Sequence, residues 1–175
     1  NRGRGIVITG KATISGGVIS NNTAAIYGGG IYAKGEGTVT ISGTTLIDGN
    51  KTTKASTGNG GGIYISEGKV FNMTGGTISN NYCANCGGGL TLSGGVEHTF
   101  SGGTITGNEA VVNRGGILLS SSGTKLTMTG GTISQNKASR IGGIHIYNGS
   151  IFEMNGGIIK NNIATDKSYV FRDGG

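Results

Sequence analysis

The chain has 175 residues, 39 of them glycine and none proline, with 13% charged residues and a formal net charge of +6. A collagen triple helix needs glycine at every third position and abundant proline, so it is excluded, as is a proline-rich spacer. The 21 isoleucines and 8 valines outnumber the 6 leucines, which favours strands, and no run approaches the roughly 20 apolar residues of a membrane span.

Read from the N-terminus, one phrase repeats: an apolar-polar alternation, a glycine pair, an Ile-x-x-Asn unit, a short loop, then Gly-Gly-Ile. The chain opens on Arg4-Gly-Ile-Val-Ile8, the counterpart of Gly29-Gly-Ile-Tyr-Ala33. The Ile-x-x-Asn units follow at Ile19/Asn22, Ile47/Asn50, Ile78/Asn81, Ile105/Asn108, Ile133/Asn136 and Ile159/Asn162. Their asparagines are spaced 28, 31, 27, 28 and 26 residues apart. The residues after Gly-Gly are Ile31, Ile63, Leu90, Ile117 and Ile144, spaced 32, 27, 27 and 27. At the far end, either Tyr169–Phe171 forms a degenerate last strand or Gly174-Gly175 opens another copy. The chain therefore reads as a piece of a longer array.

Each copy of 26–32 residues holds three short apolar-alternating segments and nothing long enough for a stable helix. One such turn cannot bury its apolar face, whereas stacked turns share a continuous core. Residues 1–175 are thus expected to form one all-β domain. It would be a single-stranded parallel β-helix of about six turns with three short strands per turn, right-handed by the rule for parallel crossovers. Strand alternation points Val39/Ile41, Phe71/Met73, His98/Phe100, Leu126/Met128 and Phe152/Met154 inward on the first face. The Ile of Ile-x-x-Asn points inward on the second, and the post-glycine residue does so on the third. Asn22, Asn50, Asn81, Asn108, Asn136 and Asn162 form a column whose amides can bond from turn to turn. Glycine suits the corners, and a strand paired on both sides has no place for proline.

These motifs resemble the polymorphic outer-membrane protein repeats of bacterial surface proteins, whose signature pairs Phe-x-x-Asn with Gly-Gly-Ala-Ile. The counterparts here are Ile19-Ser-Asn-Asn22 with Gly28-Gly-Gly-Ile31, and Ile105-Thr-Gly-Asn108 with Gly115-Gly-Ile117. Isoleucine replaces phenylalanine. The Gly-Gly-Thr-Ile-Ser-x-Asn copies are also similar to arrays in very large surface proteins of gut and oral bacteria. The resemblance implies a right-handed parallel β-helix displayed outside a bacterial cell, acting in adhesion (autotransporter-like) or as a stalk.

Residue chemistry offers little for catalysis. The carboxylates do not pair in adjacent turns at one strand position, as a polysaccharide lyase or glycoside hydrolase would need, so no catalytic residues are assigned. His98 falls on an inward ladder and His145 points outward, and no nucleophile-base-acid set assembles around them. Cys83-Ala-Asn-Cys86 lacks two further zinc ligands; it reads as a small-loop disulfide stapling one corner, with free thiols as the alternative. No metal or cofactor is expected.

Two surface features remain. Thr77/Ser79, Thr104/Thr106 and Thr132/Ser134 form outward hydroxyl ranks, as on an ice-binding solenoid, but also as on any solvated β-face. Lys51, Lys54, Arg114, Lys137, Arg140 and Lys167 fall in the loop after the asparagine column, where stacking would make a basic edge. Such an edge would attract acidic glycans, cell-wall polymers or host surface proteins. Without interleaved aromatic platforms it does not suit nucleic acid. The expected function is thus a non-catalytic segment of a bacterial cell-surface or secreted protein, adhesive or stalk-like. A polysaccharide-active enzyme and an ice-binding solenoid are the alternatives.

Overall fold

The computed structural model describes residues 5–166. All strand pairings are parallel and join each turn to the next, so the chain climbs as a coil of six turns. Successive turns are about 4.8 Å apart, the spacing of paired strands. Lys167, Tyr169–Phe171 and the Gly174-Gly175 pair lie outside the described residues.

Three sheets enclose the core. The post-glycine segments form the first, in the order Ile6–Ile8, Ile31–Ala33, Ile63–Ile65, Leu90–Leu92, Ile117–Leu119 and Ile144–Ile146. The second sheet takes the two faces expected to be separate and, in the last four turns, joins them. Val70–Ser79, Glu97–Thr106, Lys125–Ser134 and Ile151–Lys160 are each one strand of ten residues. Register shifts between Met73 and Thr77 mark the bend at the glycine pair. In the first two turns the halves stay separate, as Ala12–Ile14 and Val18–Ser20, then Thr38–Ile41 and Leu46–Asp48.

The third sheet was read as loop in the sequence. Its strands are two residues long: Thr23–Ala24, Lys51–Thr52, Tyr82–Cys83, Glu109–Ala110, Lys137–Ala138 and Ile163–Ala164. Turn-to-turn bonds hold them, such as Glu109 N to Asn81 O at 2.8 Å and Lys137 N to Asn108 O at 2.8 Å. The second residue of each strand is small. Cys83, Ala110 and Ala138 pack as a minor core beside the asparagines.

The main core contains the expected ladders: Ile31, Ile63, Leu90 and Ile117; Ile47, Ile78, Ile105 and Ile133; Phe71, Leu126, Met73, Phe100 and Met128. His98 is buried in register with Leu126, as the alternation required. Lys69, a corner residue not marked in the sequence, is also fully buried. Its Nζ donates to the carbonyls of Thr9 (3.2 Å), Gly10 (2.7 Å) and Glu36. One ammonium thereby clasps three turns.

Candidate functional site

The asparagine column is the most ordered polar feature. Asn50, Asn81, Asn108 and Asn136 are all 0% exposed. Each Oδ1 accepts twice from the preceding turn, once from the backbone N–H and once from Nδ2 of that turn's asparagine. For Asn108 Oδ1 the donors are Asn81 N (3.0 Å) and Asn81 Nδ2 (2.9 Å). Each Nδ2 also donates to an isoleucine carbonyl one turn back, as Asn108 does to Ile78 O at 3.0 Å. The ladder runs unbroken from Asn22 to Asn162, with donors facing up the chain and acceptors down. Buried amides with every hydrogen bond made are rigid and specify one register.

This column explains the companion Gly-Gly motif. A Cβ at Gly89 would sit 2.9 Å from Asn108 Nδ2 and 2.9 Å from Gly116 O. The two motifs are 19 residues apart in sequence and touch in space, so neither can change alone.

The basic residues do not make a continuous ridge. Lys51 and Lys137 share an outward column of the third sheet, with Tyr82 and Glu109 in register between them. Lys137 pairs with Glu109 at 3.5 Å. Lys54 and Arg140 are exposed in loops three turns apart, and Lys167 lies outside the described residues. Arg114 is drawn inward: its guanidinium lies 4.8 Å over the Tyr147 ring, and Nη1 is 3.5 Å from Cys86 Sγ. The expected edge is therefore a mixed column with basic and aromatic members.

The disulfide reading is corrected. Cys83 and Cys86 are both free and buried. Cys83 faces the minor core, where its Sγ lies 3.1 Å from Thr52 Oγ1 and accepts from Cys86 N at 3.1 Å. Burial pushes its thiol pKa up. Cys86 instead turns towards Arg114 of the next turn, so the two sulfurs serve different neighbours.

His98 Nδ1 accepts from Phe71 N at 3.1 Å, and burial lowers the imidazole pKa to about 4. This histidine is a neutral core residue. His145 is not solvent-facing as expected; it is half-buried, 5.7 Å from Tyr147, with its pKa lowered by burial and by Arg114. Four outward carboxylates, those of Asp48, Glu97, Glu109 and Glu153, are engaged with neighbours. Lys125 holds Glu153 at 3.0 Å and Glu97 at 3.9 Å from the turns on either side, which raises its own pKa. Asp48 accepts from Ser79 Oγ (2.7 Å) and Asn80 Nδ2 (2.8 Å). The hydroxyl ranks are likewise knitted together, with Thr106 Oγ1 and Ser134 Oγ 3.2 Å apart. Among the described residues, no three His, Cys, Asp or Glu side chains gather as a metal site.

Sequence reading missed a trio of near-parallel tyrosines on the outer side of the first sheet. Tyr27, Tyr32 and Tyr64 have ring centroids 4.7–5.7 Å apart. The available signal was Gly-Gly-Ile-Tyr repeated in adjacent turns, at Tyr32 and Tyr64.

The family model described as a right handed beta helix region matches residues 4–171. The chain belongs to the right-handed β-helix family. The match spans all six turns and supplies the handedness of the coil. No curated protein and no solved structure matches the chain significantly. Right-handed β-helices are compatible both with surface proteins and with polysaccharide-active enzymes.

Proposed function

We propose that this β-helix is a rigid, non-catalytic spacer in a bacterial cell-surface or secreted protein. The observation that carries this reading is the buried asparagine ladder, continuous through six turns and braced by three parallel sheets. Bending the coil would break amide bonds that have no water to replace them. Engagement of Glu97, Glu109 and Glu153 with lysines and of Asp48 with a serine hydroxyl supports a structural surface. The experiment is a turnover assay on pectin-like, host and cell-wall polysaccharides, reading new reducing ends and unsaturated products. The spacer reading expects none; turnover that co-purifies with the folded chain overturns it.

The column of Lys51, Tyr82 and Lys137 favours a second reading, adhesion to acidic glycans. An exposed ring with the Lys51 ammonium in the turn before it, and Lys137 two turns on beyond Glu109, suits a saccharide carrying carboxylate or sulfate. A glycan array tests it, with Lys51→Ala/Lys137→Ala as the control that should lose binding. Binding indifferent to that double substitution would refute this use of the column.

A further inference from the structure

The three stacked tyrosines take no part in the spacer reading. Gly28, with φ +55°, turns the chain so tightly that a Cβ there would sit 2.1 Å from Ile31 O. That turn lays the Tyr27 ring 5.7 Å from Tyr32 in the strand just after it. Tyr32 pairs in register with Tyr64 of the next turn, on the outer side of the first sheet. Val7 precedes them in this column and Thr91 follows, so the rings are confined to two turns. Tyr82 stands apart, between Lys51 and Glu109, and Tyr147 lies beside His145 and Arg114.

Ring geometry singles out one pair. Tyr27 and Tyr64 have centroids 4.7 Å apart and planes 18° from parallel, against 5.6 Å for Tyr32 and Tyr64. Both are half-buried, whereas Tyr32 is only 8% exposed. Tyr32 and Tyr64 also stand on paired strands, whose spacing of about 4.8 Å holds their backbones apart. Tyr27 sits in a loop, held by a single bridge to Asn59, where its ring can tilt. Two phenols held in contact have a chemistry that isolated ones lack: radicals formed on both meet without diffusion.

We infer that Tyr27 and Tyr64 form an oxidative cross-linking site, joined ring to ring by a one-electron oxidant. Each phenol gives one electron to the oxidant and one proton to solvent. The two phenoxyl radicals then form a carbon–carbon bond between ring positions ortho to oxygen. The hydrogens on those carbons move to the oxygens, which restores both phenols. Two electrons and two protons leave in all, and two equivalents of oxidant are reduced. The bond would tie consecutive turns together and, like a disulfide, restrict the unfolded chain.

Photo-oxidation of the dilute full chain with a ruthenium tris-bipyridyl complex and persulfate tests this. The monomer should gain dityrosine fluorescence and lose two hydrogen atoms by intact mass. Its digest should contain one linked peptide pair, holding Tyr27 and Tyr64. The cross-linked monomer should then unfold at a higher urea concentration. Tyr27→Phe and Tyr64→Phe should each form about tenfold less of this product, while Tyr32→Phe and Tyr82→Phe match the wild type. Phenylalanine keeps the ring packing, and urea melts before oxidation establish that every variant folds. In denaturing urea the wild type should lose the preference for this pair. A monomer without dityrosine, a link mapped mainly to Tyr32 or another residue, or an undiminished yield in Tyr27→Phe would each overturn the inference.

Discussion

Replacing Asn108 by alanine removes four side-chain hydrogen bonds from a site with no water. Oδ1 accepts from Asn81 N at 3.0 Å and Asn81 Nδ2 at 2.9 Å, while Nδ2 donates to Ile78 O at 3.0 Å and Asn136 Oδ1 at 2.9 Å. The backbone N–H of residue 108 still reaches Asn136 Oδ1, so Asn136 keeps one partner. Asn81 N–H and one Asn81 amide hydrogen are left buried and unpaired, and Ile78 O loses its side-chain donor. At roughly 1 kcal/mol net for each of four bonds, the expected loss is about 4 kcal/mol. That is a large part of the 5–15 kcal/mol typical of a domain. Urea denaturation of the full chain, read by circular dichroism, measures it. Asn22→Ala is the internal comparison: it removes one side-chain bond, to Asn50 Oδ1 at 2.9 Å, and should cost about 1 kcal/mol. If Asn108→Ala lost no more than Asn22→Ala, the ladder would not be a stabilising element and the reasoning above would fail.

Three further outcomes are expected. Gly107 has φ +64° and a Cβ there would lie 2.8 Å from Asn80 Oδ1. Gly107→Ala should therefore cost about the 1–2 kcal/mol of a left-handed non-glycine residue, read as a lower melting temperature; a neutral result would show that this corner carries no backbone strain. His98 titrates near 6.5 when unfolded and about 4 when folded, so its contribution is present above pH 6.5 and is lost as pH falls towards 4. Denaturation midpoints across that window should fall for wild type and fall less for His98→Asn, which keeps an acceptor for Phe71 N; equal slopes would show that other groups set the pH response. Lys69→Met leaves three carbonyls without their shared donor and should cost about 2–4 kcal/mol by urea titration. Unchanged stability would mean that the ammonium is dispensable to the clasp.

What the sequence made legible follows one axis. Side-chain alternation along a strand identified Ile78, Met73 and His98 as inward, and the 27-residue period aligned the asparagines, because both are relations a single turn can display. Relations between turns were harder to see. Lys69 reads as a solvated corner residue until the carbonyls of Glu36, one turn back, and of Thr9 and Gly10, two turns back, are seen to converge on its ammonium. The two-residue strands read as loop because two residues carry no periodicity, and their pairing with the turns above and below is what makes them strands. Cys83-Ala-Asn-Cys86 has the spacing of a small disulfide, yet the inward position of Cys83 beside Ala110 directs its sulfur away from that bond. Lys51 and Lys137 each follow a ladder asparagine in the sequence, but Tyr82 and Glu109 fall between them only once the turns are in register.

The contact between Gly89 and Asn108 carries a consequence for where function resides. Each asparagine amide lies against the glycine of the preceding turn, so a side chain at the glycine would displace the amide, and loss of the amide would strip a buried carbonyl. The two motifs hold each other in place at every turn, which leaves little freedom in the inward columns. The outward column of the third sheet has no such constraint: it reads threonine, lysine, tyrosine, glutamate, lysine and isoleucine in six successive turns. Any ligand selectivity must be written in such positions, where a substitution alters what the surface presents without disturbing the ladder beneath it. Substitutions at Lys51, Tyr82 and Lys137 can therefore separate binding from folding, whereas those at Gly89 and Asn108 cannot.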